Sequence, residues 1–235
     1  MSRLNSNSRK LSLFFVIVFL GTFLMPLTRV NAQGGYEVKD YKIDINVNEN
    51  ASAYFAEKID VNFMEYRHGI YRWITLPIKW KVKDANNNKT IYSSIKVDNI
   101  AVVSDPYKIE NKIEHKIIKI GDKDKNIIGN KSYKLSYLTK LYEDKIDGYD
   151  QFYCNILPFY NEALVENAEI NIVMPKKFDK DNIKLIVGNA GDTFSNPKYE
   201  KQVDYEVKGK TIIVKTHGKL PPKVGITLAV KLPDG

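Results

Sequence analysis

The chain has 235 residues, with 36 Lys+Arg against 28 Asp+Glu, a formal net charge of +8, and one cysteine. That length accommodates one large or two small domains with a real hydrophobic core, and a lone cysteine excludes an internal disulfide framework. The basic excess is spread along the chain with acids interleaved, which excludes a concentrated nucleic-acid footprint and leaves weak attraction to anionic polymers or lipid head groups.

Residues 1–32 are laid out as an export signal. Arg3, Arg9 and Lys10 form a basic start, Leu11 to Met25 carries no charge, and Val30-Asn31-Ala32 sets compact residues where a signal peptidase reads them. Cleavage is expected after Ala32. A retained anchor needs about 20 apolar residues to cross a hydrocarbon core of about 30 Å, and Pro26 and Arg29 cut this run short. The expected product is a mature extracytoplasmic domain, residues 33–235, with a possible internal boundary near 160–180. Four of the 36 basic residues (Arg3, Arg9, Lys10, Arg29) and none of the 28 acids lie in the signal, leaving 32 against 28, a net charge of +4.

From Tyr36 the apolar period is two. Tyr41, Ile43, Ile45 and Val47 alternate with Lys42, Asp44, Asn46 and Asn48; after a turn at Asn48-Glu49-Asn50-Ala51, Tyr54 to Phe63 alternates again, which predicts an opening hairpin with one buried face. Ile78 to Val82 reads as a strand, Asp84 to Lys89 as a polar loop, and Ile91 to Val103 as one or two strands stopped by Ser104-Asp105-Pro106. His115 to Gly121 and Lys131 to Leu138 read as the two arms of a second hairpin joined by Asp122 to Asn130. Asp122, Asp124 and Asn126 have the spacing of the first calcium-loop ligands. However, Ile127 replaces the required glycine and Tyr133 the bidentate glutamate, so a solvated loop and no metal are expected.

After an acidic connection at Glu143 to Asp150, Phe152 to Leu157 is too apolar for an edge strand. Ala168 to Pro175, Ile183 to Val187, Val203 to Val207, Thr211 to Thr216 and Ile226 to Lys231 complete the strands, with turns at Gly188 to Gly191 and Val207 to Lys210. Asn161 to Ala168 is the only helix-tolerant piece. About ten strands without alternating helices predict an all-β protein, an antiparallel β-sandwich or two packed β modules.

The richest stretch is Arg67-His68-Gly69-Ile70-Tyr71-Arg72-Trp73-Ile74-Thr75-Leu76-Pro77. Two readings stand side by side. In one, Tyr71, Trp73 and Tyr153 form a stacking platform for sugar rings, while Arg67, His68 and Arg72 hold anionic groups of a cell-wall polymer or lipid. In the other, Arg72 pairs bidentately with Asp150 as a structural brace, Gly69 permits the bend, and Ile70 and Trp73 fill the core.

No His-Glu-x-x-His, Gly-x-Ser-x-Gly, P-loop or cysteine pair is present, and the 3 histidines (His68, His115, His217) fall on separate segments. No cofactor and no catalytic residue are therefore expected. Cys154 reads as a small buried thiol. Glu143, Asp147, Asp150 and Glu162 include pairs that would flank a glycosidic bond, the basis of a rival reading as a carbohydrate-active enzyme or binding module.

Several of these segments together carry a family resemblance. The Tyr-x-Ile-x-Ile hairpin, His68-Gly69-Ile70-Tyr71-Arg72 closing at Leu76-Pro77, Ile120-Gly121-Asp122, Tyr133 to Tyr137, Asp150-Gln151-Phe152-Tyr153-Cys154-Asn155 and Met174-Pro175 follow in this order. The mature chain thereby resembles the exported N-terminal domain of the YciQ-type predicted bacterial membrane proteins, a domain of unknown function (DUF2207). The resemblance implies a signal peptide, an outward-facing β domain and then transmembrane helices with a cytoplasmic or low-complexity tail. Cys154 stands where that family usually has tryptophan. The sequence ends at Leu232-Pro233-Asp234-Gly235, just before the implied membrane segment. The expected role is a non-enzymatic binding or spacing module at the cell envelope. Its expected partner is a wall polymer, anionic lipid or another envelope protein.

Overall fold

The computed structural model describes residues 35–83, 88–140 and 148–234, which belong to one compact unit. The expected signal at 1–32, most of the polar loop from Asp84 to Lys89, and Glu143 to Asp147 of the acidic connection lie outside the described residues.

The opening hairpin forms where the alternation places it. β1 (Tyr36–Val47) buries Tyr41, Ile43, Ile45 and Val47, and β2 (Ser52–Arg67) buries Phe55, Ile59, Val61 and Phe63, so each strand turns one face to the core. Their turn is closed by Asn48 N donating to the Ser52 carbonyl at 2.8 Å and by Asn50 Oδ1 accepting from Ser52 N at 3.1 Å. The strands that follow are β3 (Gly69–Thr75), β4 (Pro77–Lys83), β5 (Asn88–Ser94), β6 (Lys96–Val102), β7 (Tyr107–Asn111), β8 (His115–Gly121) and β9 (Ile127–Lys140). Then come β10 (Asp150–Leu157), β11 (Leu164–Val173), β12 (Ile183–Gly188), β13 (Val203–Lys208), β14 (Thr211–Thr216) and β15 (Gly225–Leu232).

A seven-stranded sheet runs β13-β14-β11-β1-β2-β9-β6, two three-stranded sheets run β10-β15-β12 and β3-β8-β7, and β4 pairs with β5. Buried side chains of the first three sheets merge into one cluster extending from Tyr36 to Leu232, the all-β layered core that the alternation predicts. One ladder departs from the antiparallel expectation, since β1 and β11 are parallel from Glu37↔Leu164 to Asn46↔Val173. β11 reaches β1 after a long excursion and not through a hairpin, so no short turn forces the directions to oppose.

Three local expectations are corrected. β8 and β9 are strands, but they are not the arms of a hairpin. β8 pairs with β3 and β7, while β9 pairs with β2 and β6. Arg67↔Ile127 is the last pair of one ladder and Gly69↔Gly121 the first of the next, so β2–β3 and β8–β9 are two long strands that turn a corner together. The Asp122–Asn126 segment is a pouch at that corner, tied by Asp122 Oδ1 accepting from Asp124 N at 3.0 Å, and does not reverse the chain.

Asn161–Ala168 is not helical: from Leu164 it is strand, because ladders to β1 and β14 and the Val165↔Leu220 bridge outweigh local propensity. Among the described residues the helical pieces are a 3₁₀ turn at Lys180–Asn182 and a single turn at Pro197–Glu200. Finally, among the described residues β10 pairs on one side only, with β15, so it ends its sheet despite its apolar sequence. Phe152, Cys154, Ile156 and Leu157 are buried by packing of the sheet's face, which a second hydrogen-bonded neighbour is not needed to provide.

Candidate functional site

The corner is made by two glycines in contact. Gly69 has φ 149° and Gly121 φ 136°; a Cβ on Gly69 would lie 1.9 Å from the Ile120 carbonyl oxygen, and one on Gly121 2.0 Å from that of His68. Only glycine fits either position. Beyond the corner, β3 alternates strictly: Ile70, Arg72 and Ile74 are buried, and Tyr71, Trp73 and Thr75 point the other way. The sequence-predicted residues are therefore divided between two faces and do not form a single cluster.

The inner face holds the brace. Arg72, 6% exposed, reaches across to Glu57 of β2, which is 3% exposed. Arg72 Nη2 donates to Glu57 Oε1 and Nε to Oε2, both at 2.7 Å, a bidentate pair. Tyr41 and Tyr137 flank the carboxylate from the strands on either side of β2. Their hydroxyls donate to Glu57 Oε2 and Oε1, each at 2.6 Å. Tyr137 Oη also accepts from Arg72 Nη2 at 3.0 Å, and Arg72 Nη1 donates to the Trp73 carbonyl.

Burial opposes ionisation of Glu57, but the charge of Arg72 and the donors around the carboxylate outweigh it and hold the carboxyl below its ordinary value. Burial likewise works against the Arg72 cation, and Glu57 more than offsets it. The same burial pushes both tyrosine hydroxyls well above their usual range, so they stay protonated donors.

The predicted partner is corrected. Asp150 sits at the start of β10 and pairs with Lys176 Nζ at 2.7 Å, which also donates to the Pro233 carbonyl. That pair is half exposed, so Asp150→Ala is expected to cost under about 1 kcal/mol in denaturant unfolding. Glu57 is the acid that sequence reading missed. Its signal was a carboxylate at an inward position, between Phe55 and Ile59 on the buried register of β2.

Trp73 is half-buried and stacks on Tyr160, centroids 5.8 Å apart, with His115 edge-on at 5.7 Å. Tyr153 is half-buried against the core, and burial raises its hydroxyl. Cys154 is buried beside a cavity of about 30 Å³ lined by Phe55, Arg72, Trp73 and Tyr137 among others, the space of a single water.

Burial pushes the Cys154 thiol up to about 12 and the Tyr36 hydroxyl to about 12. Their folded values lie above the unfolded ones of 9.0 and 10.0, so the stability they contribute is complete below those values and is lost as pH rises toward 12. Chemical denaturation midpoints are expected to hold up to about pH 9 and fall steadily above pH 10; a flat profile to pH 12 would contradict this burial.

The outer face of the corner is open. Tyr66, Arg67, His68, Tyr71, Tyr107, Lys108, Lys119 and Lys123 line a groove of about 520 Å³ between β2–β3, the start of β7 and the Asp122–Asp124 pouch. His68 Nδ1 lies 3.0 Å from the Lys125 carbonyl oxygen, an acceptor, so Nδ1 carries the hydrogen. Lys119 Nζ sits 5.4 Å from the centre of the Tyr71 ring and 2.6 Å from Glu110 Oε1. Of the sequence candidates, Arg67, His68 and Tyr71 share this groove, whereas Arg72 faces the core and neither Trp73 nor Tyr153 lines it. Tyr66, Tyr107, Lys108 and Lys119 enter through the pairing of β3, β8 and β7, which no local pattern announces.

Among the described residues no three His, Cys, Asp or Glu side chains are grouped to hold a metal ion. Of the carboxylates considered for glycoside chemistry, Glu143 and Asp147 lie outside the described residues, Asp150 is bonded to Lys176 and Glu162 is exposed.

No curated protein matches the chain. Solved structures similar to it include an M1 zinc metallopeptidase from Deinococcus radiodurans, at 7% identity over 83% of this chain and 42% of that one, with TM-score 0.37. Native leukotriene A4 hydrolase from Saccharomyces cerevisiae follows at 8% identity, covering 84% and 29%, with TM-score 0.41. A putative protease from Parabacteroides distasonis has 10% identity, covering 83% and 40%, with TM-score 0.40. The chain spans less than half the length of each. Among the described residues no helix is long and apolar enough to cross a membrane. The family model described as the N-terminal domain of a predicted membrane protein (DUF2207) matches residues 37–232, nearly all of the described β structure, and the chain belongs to that family.

Proposed function

We propose that this chain is a non-catalytic, extracytoplasmic module of a membrane protein, and that it presents the outer face of the corner as a binding surface at the cell envelope. The observation that carries the reading is the division of labour along β3. The buried charge at Arg72 is met by Glu57, the Tyr137 hydroxyl and the Trp73 carbonyl, while Tyr71 beside it and Arg67 and His68 just before open onto a groove. A rigid inner face with an aromatic and cationic outer one suits holding a ligand at a fixed place. The signal-like residues 1–32 and the membrane-protein family support an outward location.

Labelling of intact cells tests the reading. In cells that express the protein with Lys108→Cys, a membrane-impermeant maleimide is expected to label the variant and to leave the wild type, whose only cysteine is the buried Cys154, unlabelled. Labelling of Lys108→Cys only after lysis would refute the outward surface.

A further inference from the structure

We propose that the groove at the corner binds an anionic polysaccharide, its sugar rings lying on Tyr66 and Tyr71 and its carboxylate or phosphate groups meeting Lys108 and Lys119. This inference rests on the binding-surface reading above and names the ligand class for the same site.

Two tyrosines in one groove are left 71% and 52% exposed, Tyr66 and Tyr71, whereas Tyr107, paired with the buried Ile120, turns to the other side of its sheet and donates its hydroxyl to the Ile100 carbonyl at 3.1 Å. An aromatic ring offers a flat apolar face for the C–H side of a sugar and a hydroxyl for its polar edge, which suits a partner that is neither wholly apolar nor wholly charged. Charge then selects among sugars. Arg67, Lys108, Lys119 and Lys123 line the groove against Asp122 and Asp124, and both of these acids already face lysines of the pouch, Asp122 with Lys125 and Asp124 with Lys123.

The cations are also set against one another. Tyr71, Lys119 and Lys108 are directly opposite one another across β3, β8 and β7. Two lysines in direct cross-strand register repel, a local conflict in a sheet. Glu110 relieves Lys119 at 2.6 Å, while Lys108 makes no ion pair among the described residues. An acidic group laid across the row would relieve the remaining repulsion.

The site is an open trough with strands about 4.8 Å apart beneath it, so a ligand crossing it meets a ring and then cations at the spacing of neighbouring substituents on a polymer. A lipid surface is less well matched: the tyrosines line a recess, whereas membrane insertion uses apolar side chains that protrude.

Calorimetric titration of the mature chain, residues 33–235, which contains the whole described core, tests the inference. The probes are polygalacturonate, a poly(glycerol phosphate), neutral dextran, and phosphatidylglycerol/phosphatidylcholine vesicles. Binding is expected for one or both anionic polymers, which distinguishes carboxylate from phosphate recognition, and not for dextran. The affinity is expected to fall as salt rises from about 0.05 M to about 0.3 M. Tyr71→Ala and Lys108→Ala are each expected to weaken it about fivefold to tenfold with unchanged melting.

Equal binding of dextran, binding of vesicles alone, or polymer binding indifferent to both substitutions would overturn this assignment and leave an outward binding surface standing. No binding of any probe would overturn it too. The labelling experiment on intact cells independently decides whether the surface faces outward at all.

Discussion

Replacing Arg72 by alanine is expected to destabilise the protein by about 3–5 kcal/mol, and Glu57→Ala by a similar amount, because each leaves its partner charged and desolvated. Glu57 would retain two tyrosine donors but no cation; Arg72 would retain the Tyr137 hydroxyl and the Trp73 carbonyl but no anion. The double variant Arg72→Ala with Glu57→Ala removes both charges and is expected to be much less unstable than the sum of the single changes, the signature of direct coupling. Urea unfolding of the four proteins measures the cycle.

The pH dependence has a definite sign. Because Glu57 is held below its unfolded value of 4.5, its contribution is present above that value and is lost as pH falls through the lower, folded one. Acid unfolding should accordingly be shifted in Glu57→Gln. Additive single costs in the cycle would show that the pair is not the coupled unit its geometry describes.

The second large effect belongs to the corner. Gly69→Ala and Gly121→Ala would each drive a methyl group to within 2.0 Å of a carbonyl oxygen on the facing strand, at a φ that side chains rarely adopt. Backbone strain of about 1–3 kcal/mol adds to overpacking of about 1–3 kcal/mol, so a loss of about 2–6 kcal/mol is expected for each. By comparison Gly129→Ala, where nothing lies within 4 Å of an added Cβ, should show only the cost of its φ of 79°. Thermal melts of the three variants rank them, and a Gly69→Ala protein as stable as Gly129→Ala would mean that the strands do not meet at the corner.

How far the sequence reveals this arrangement depends on the range of the interaction. The hairpin of β1 and β2 is legible because Tyr41 to Val47 and Tyr54 to Phe63 alternate without interruption and their turn is short. Gly69 is legible as a pivot inside an aromatic, basic run. Its counterpart Gly121 is not, because 115–121 and 131–138 with turn residues between them satisfy every local rule for a hairpin. What overrides that rule is pairing of β8 with β3, a contact between distant segments that carries no local signature.

The brace shows the same limit. Arg72 reads as a brace within the run from Arg67 to Pro77, but with 28 acids in the chain the choice of partner is open. The better argument was available in β2, where Glu57 interrupts a buried apolar register and so demands a cation and donors of its own. Candidate binding residues fared differently because adjacent positions of a strand face opposite ways. Tyr71 and Arg72, read together as one site, end on opposite sides of a sheet.

The central claim is that these two sides are separable, stability on one and recognition on the other. The thermal midpoint of Tyr71→Ala/Lys108→Ala compared with that of Arg72→Ala tests it most directly. For a domain of this size 3–5 kcal/mol corresponds to about 6–20 °C. Arg72→Ala is therefore predicted to melt lower than the wild type by that amount, and the outer-face double variant within about 2 °C of it. An outer-face variant that melts as low as Arg72→Ala would contradict the account, since the groove would then be part of the brace.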